Sequence, residues 1–174
     1  MRERTGLVTM RGNPVTLLGE ELKVGDHAPD FVVLANDLKP IEFSSFRGKV
    51  CVISAVPSLD TPVCHATTVR FNQEASSLGP EVEVLIISMD LPFAQGRWCG
   101  ATGVKDVKTF SDHRDASFGA AYGVLMKDLR LLARAVFVVD REGIVQHVEV
   151  VKEIANEPDF DAALETVTKL VSQK

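Results

Sequence analysis

Eight consecutive residues, Pro57-Ser58-Leu59-Asp60-Thr61-Pro62-Val63-Cys64, hold the types and spacing that point to chemistry. Thr61-Pro62 is a helix start. Threonine serves as N-cap, and proline takes the first helical position, where no N–H is needed. That assignment puts Cys64 at the third helical position, which a capping box would give to glutamate. A sulfur there meets unpaired backbone N–H groups and the positive end of the helix dipole. Only the thiolate benefits, so the placement favours a nucleophilic sulfur. The helix terminus offers an exposed anion about 0.3–1 kcal/mol, which is too little to hold a thiol fully ionised. A cation is needed as well: an arginine at about 4 Å adds roughly 4 kcal/mol at an effective dielectric of about 20. Arg134 is the candidate, set between Leu132-Ala133 and the apolar run 135–139. The same surroundings also suit a structural ion pair. Ionisation alone gains roughly 30-fold in rate over a free thiol. Larger acceleration requires donors aimed at a leaving group, and the Thr61 hydroxyl, the Cys64 N–H and Arg134 are available.

These residues need elements to position them. Residues 50–56 form a nearly continuous apolar run closed by Pro57, the pattern of a strand buried on both faces. The spacing predicts a helix over 62–78, with Ala66, Val69, Phe71, Ala75 and Leu78 in register, then a second buried strand over 82–88. Strand, helix and strand make a βαβ unit with parallel strands. Ligands in such sheets sit beyond the carboxyl ends of the strands, where Cys64 falls. A second thiol, Cys99, lies in Leu91-Pro92-Phe93-Ala94-Gln95-Gly96-Arg97-Trp98-Cys99-Gly100, just past the strand 82–88. Both thiols therefore emerge at the same sheet edge. Cys51 sits inside the first strand and reads as a small buried hydrophobe. Phe93 and Trp98 suit either an apolar substrate pocket or core packing.

The remaining pattern is an N-terminal hairpin over about 6–18, turning at Gly12-Asn13-Pro14, and short strands at 31–34 and 41–43. A short helix follows over 112–122, then a hairpin from 135–139 to 144–150. The last helix carries Phe160, Leu164, Val167 and Val171 on one stripe, with Pro158 in its first turn. The sum is one α/β domain spanning 1–174, with a mixed central sheet and flanking helices.

Composition excludes other classes. Apolar residues are 45% of the chain, charged residues 25%, and the net charge is −5, which disfavours nucleic acid and anionic membrane surfaces as partners. No apolar run approaches the roughly 18 residues of a membrane span. The N-terminus lacks the apolar segment of a secretory signal, so a cytoplasmic protein with reduced thiols is expected. No C-x-x-C, paired zinc-ligand spacing, phosphate loop or dinucleotide fingerprint occurs, so no metal or cofactor is expected. His65 beside Cys64 raises a Cys-His hydrolase. Adjacent helical residues point about 100° apart, however, so a solvent-facing His65 is the expectation.

Pro57-x-x-x-Thr61-x-x-Cys64 resembles the active-site motif of peroxiredoxins. With residues 89–99, Ala133-Arg134-Ala135-Val136 and Gly12-Asn13-Pro14-Val15-Thr16, the chain is similar to the thiol peroxidase subfamily, atypical two-cysteine peroxiredoxins, from about Thr5 to Leu170. The resemblance implies a thioredoxin-like fold and reduction of organic hydroperoxides and hydrogen peroxide. It implies Cys64 as the peroxidatic thiolate and Cys99 as the resolving thiol, joined in an intrachain disulfide. Arg134, Thr61 and Pro57 then shape the site. A homodimer and thioredoxin as reductant are further implications; Cys51 has no place in the pattern. A peroxide-sensing relay is the alternative function. If both thiols are helical, oxidation requires local unfolding.

Overall fold

The chain opens on a hairpin of β1 (Glu3–Met10) and β2 (Asn13–Leu18). The turn residues Arg11 and Gly12 have φ of 52° and 79°, the left-handed pair that a two-residue type I′ loop requires. The turn thus precedes the Gly12-Asn13-Pro14 expected from sequence. Proline cannot take positive φ, so Pro14 moves into β2, opposite Thr9. β1 also begins before residue 6: its register shifts between Arg4 and Val8, around Gly6 at φ 75°. That irregularity hides the first half of the strand from an alternation test. The computed structural model describes residues 1–173.

Next come β3 (Val32–Leu34), β4 (Pro40–Glu42) and a 3-10 turn (Phe43–Phe46). The βαβ unit follows as expected: β5 (Val50–Ala55), buried at every residue, α1 (Pro62–Leu78) and β6 (Val82–Ser88). α2 (Pro92–Thr102) and β7 (Lys108–Ser111) extend it by a second parallel crossover. α3 (Ser117–Ala121) and β8 (Leu125–Met126) precede the hairpin of β9 (Ala135–Val139) and β10 (Val145–Val150), and α4 (Phe160–Ser172) ends the described chain. The main sheet runs β10-β9-β5-β6-β7-β3-β4, parallel within β5-β6-β7 and antiparallel elsewhere; β1-β2-β8 form a second sheet. This is the mixed α/β, thioredoxin-like architecture with its N-terminal hairpin.

Strand alternation divides the core. Cys51, Ile53 and Ala55 face a layer with Phe31, Phe118 and Tyr122. Val50, Val52 and Val56 face α1 and α4, where Cys64, Phe71, Phe160, Ala163 and Val167 pack. Three expectations shift here. α1 buries Cys64, Thr67, Thr68 and Phe71, and Ala66 is exposed, because the helix turns its capped first turn toward the sheet. α4 is capped by Asp159, which accepts the Ala162 N–H at 3.0 Å, so Pro158 stands outside the helix. α3 is shorter than 112–122 because the Asp112 carboxylate takes the N–H groups of Phe118 and Gly119, at 3.0 and 2.8 Å. Ala116, at φ 50°, breaks any earlier helical path.

Candidate active site

Cys64 occupies the third position of α1, as the Thr61-Pro62 start dictates, and its side chain is fully buried. The Thr61 hydroxyl accepts the Cys64 N–H at 3.4 Å and donates to the Ser58 carbonyl at 3.2 Å. One hydroxyl thus caps the helix and fixes the approach loop. Pro57, also buried, ends β5 and aims that loop across the sheet edge.

A carboxylate not anticipated from the sequence holds the loop from the other side. Asp90, just past β6, accepts the Ser58 hydroxyl at 2.7 Å, the Leu59 N–H at 2.8 Å and the Ser88 hydroxyl at 2.7 Å. Gln95 of α2 continues the chain, donating from Nε2 to Ser88 Oγ at 2.9 Å and to the Phe110 carbonyl at 2.7 Å. The loop before Cys64 and the helix bearing Cys99 therefore share one hydrogen-bonded brace. The only sequence signal was a polar cluster after two apolar strands, which does not say which groups meet.

Arg134 lies two residues before Val136, so alternation puts it on the face shared by Val136, Val56 and Cys64. Its side chain is 2% exposed. Nε donates to the Ile154 carbonyl at 2.8 Å, and buried Nη1 has no partner among the described residues. No carboxylate pairs with it among the described salt bridges, which sets aside the structural ion pair. A buried unpaired guanidinium nitrogen is costly, and an incoming polar group would satisfy it.

Cys99 lies on α2, half-buried, with Sγ 3.3 Å from the Thr109 hydroxyl; that hydroxyl donates to Asn36 Oδ1 at 3.2 Å. Both cysteines are free thiols, as is Cys51. The structure separates Phe93 from Trp98. Five helical residues place them about 140° apart. Phe93 is 69% exposed, whereas Trp98 lines a cavity of about 480 Å³ with Ser58, Leu59, Asp60, Asp90 and Arg97. Cys99 opens on a different cavity, of about 640 Å³, with Asn36, Phe46 and Thr109. His65 faces solvent as expected, and its Nδ1 accepts the Trp98 indole N–H, 3.2 Å away. Cys51 is 1% exposed, and burial next to Glu83 pushes its thiol up to about 12.

A buried cysteine on a capped helix N-terminus, on the carboxyl edge of a thioredoxin-like sheet, defines a class: thiol-based redox proteins. Comparison with known proteins narrows it. The Redoxin family profile matches residues 23–164. A thiol peroxidase of Halalkalibacterium halodurans is 58% identical over 91% of this chain and 95% of its own. One from Bacillus subtilis is 55% identical over 94% and 98%. Among solved structures, a peroxiredoxin-like protein from Aquifex aeolicus superposes with TM-score 0.89 at 44% identity, covering 95% of this chain and 98% of its own. A thiol peroxidase from Chromobacterium violaceum shares the fold, with TM-score 0.84 at 20% identity over 96% and 98%. The chain belongs to the redoxin family, on its thiol peroxidase branch.

Proposed function

We propose that the protein reduces organic hydroperoxides and hydrogen peroxide through a Cys64 sulfenic acid and a Cys64–Cys99 disulfide. The Cys64 thiolate attacks the terminal peroxide oxygen, the O–O bond breaks, and alcohol or water leaves after taking a proton. The thiol of Cys99 then attacks the sulfenic sulfur, releasing water and closing the disulfide. A thioredoxin dithiol opens it by exchange. Arg134 holds the peroxide oxygens through its unpartnered Nη1, joined by Thr61 and the Cys64 N–H once their present hydrogen bonds to Ser58 and to each other give way, and together they stabilise the charge leaving on oxygen.

One observation carries the reading. The thiol at the N-terminus of α1 is fully buried, and strand alternation turns toward the same side of the sheet the buried Arg134 guanidinium, whose Nη1 has no partner among the described residues. Pro57 shapes the loop; Trp98 in the 480 Å³ cavity, and the exposed Phe93 at its helix start, supply apolar surface for an organic peroxide. The protein acts as a cytoplasmic homodimer, with peroxide and thioredoxin as its reaction partners.

NADPH oxidation coupled through thioredoxin and thioredoxin reductase tests the assignment. Sustained turnover is expected with the native chain and none with Cys64→Ser, while Cys99→Ser consumes a single equivalent of peroxide. Peptide maps of the oxidised protein should join Cys64 to Cys99; a link to Cys51 would remove Cys99 from its role. Oxidation handed to a protein partner without sustained turnover would make the protein a relay instead.

A further inference from the structure

We propose that the His65–Trp98 hydrogen bond is a latch on the reduced state, and that its opening sets the rate of disulfide formation. The inference rests on the Cys64–Cys99 reading above. His65 is the chain neighbour of Cys64, and Trp98 is the chain neighbour of Cys99. The indole N–H meets His65 Nδ1 at 3.2 Å, and the rings meet edge to face at 5.4 Å between centroids. Trp98 also packs on the apolar layer that contains Cys64. The two residues flanking the thiols thus hold each other across α1 and α2.

The thiols themselves face apart. Cys99 is turned about 100° from Trp98, toward Thr109 and its own cavity. Cys64 is fully buried beneath α1. A disulfide needs Cα atoms within about 7 Å, with the Cβ vectors converging. Both helical turns must unwind, and neither cysteine can leave its turn without carrying its latch partner along. α2 offers little other resistance. It spans 11 residues, has no side-chain N-cap, and contains Gly96 and Gly100. Besides the latch, its side-chain ties are Gln95 at one end and the Cys99–Thr109 contact itself.

His65 is therefore a positioning residue. At the sulfenic acid two paths compete. The thiol of Cys99 displaces water to form the disulfide, or a second peroxide transfers oxygen to the sulfur, leaving alcohol and a sulfinic acid. A tight latch prolongs the sulfenic acid and favours the second path.

The chain has one tryptophan, so its fluorescence reports the latch directly. Stopped-flow mixing of the full-length reduced protein with cumene hydroperoxide should show a peroxide-dependent phase, then a peroxide-independent phase as the disulfide closes. In His65→Ala the second phase should quicken about fivefold, the worth of one ordinary hydrogen bond, while the first stays within about twofold. Mass spectrometry should find less sulfinic acid at high peroxide. His65→Asn, whose Oδ1 restores the acceptor, should return both readings toward native. An unchanged second phase in His65→Ala, or no rescue by asparagine, overturns the latch while leaving the cysteine pair intact. A second phase that survives Cys99→Ser, or maps lacking the Cys64–Cys99 peptide, overturns the pair and the latch with it.

Discussion

At the scale of single residues, the site depends on one group that a look-alike cannot replace and one that it can, Arg134 and Thr61. Arg134 uses Nε on the Ile154 carbonyl and keeps Nη1 free in the same buried fork. Lysine gathers its donors on one ammonium and lacks the planar fork that serves both positions at once. Arg134→Met and Arg134→Lys should each lower the first-turnover rate with peroxide by about 10²–10³, the usual loss for a donor aimed at transition-state charge. Recovery to native rate in the lysine variant would show that charge alone suffices. Thr61 is divisible: Thr61→Ser keeps the cap, whereas Thr61→Val should cost about 1 kcal/mol of stability in urea unfolding in addition to activity. Cys51 is the contrast. With its thiol pushed up from 9.0 to about 12, it stays protonated at neutral pH. Iodoacetamide at pH 8 should label Cys99 in the native fold and leave Cys51 untouched. The folded state holds this proton where the unfolded chain releases it, so the associated stability is whole below about pH 9 and is lost as pH rises toward 12.

At the scale of elements, legibility followed range. α1 and β6 were readable to their ends and β5 to within one residue, because burial pattern and the Thr61-Pro62 cap are local. α2 was not, because glycines, a missing side-chain cap and mixed polarity give no helical stripe; its anchors come from Ser88, Phe110 and His65 on other elements. The bracing role of Asp90 and the Trp98–His65 contact escaped for the same reason, since each depends on partners more than thirty residues away, whereas Trp98 itself was legible as a pocket candidate. α3 was overextended because a buried carboxylate is invisible to periodicity. That carboxylate titrates: burial pushes Asp112 up from 3.8 to about 6, against the N–H groups that hold it down. The folded state keeps a proton that the unfolded chain sheds, so stability present below about pH 4 declines through about pH 6. The loss is on the order of 3 kcal/mol. Urea unfolding between pH 3.5 and 7 should show this decline in the native chain and not in Asp112→Asn, by subtraction of the two curves. Parallel curves would mean that Asp112 does not titrate in the fold.

At the scale of the whole molecule, the N-terminal hairpin reaches the active site through a short relay of backbone. Thr9 N–H donates to the Lys152 carbonyl at 2.7 Å, and the Ile154 N–H donates back to the Thr9 carbonyl at 3.0 Å. Glu153, between them, accepts the Gly12 N–H at 2.8 Å and the Thr9 hydroxyl at 3.1 Å, clamping its segment to the hairpin. The next residue, Ile154, supplies the carbonyl that fixes Arg134. A surface carboxylate therefore aligns a buried guanidinium it does not touch. Glu153→Ala should loosen the segment and lower the first-turnover rate about fivefold, with the fold retained by circular dichroism. Glu165→Ala serves as control, because it breaks only an exposed pair with Lys169 and should leave the rate unchanged. Acid provides an independent test. The backbone N–H groups of Ala155 and Gly12 hold the Glu153 carboxyl below its ordinary 4.5. Its clamp is therefore whole above that value and is lost as pH falls below it. The first-turnover rate of the native chain should gain an acid-side decline that Glu153→Gln lacks, since an amide has no proton to take up there. If both proteins decline alike, the hairpin stabilises the fold without steering Arg134.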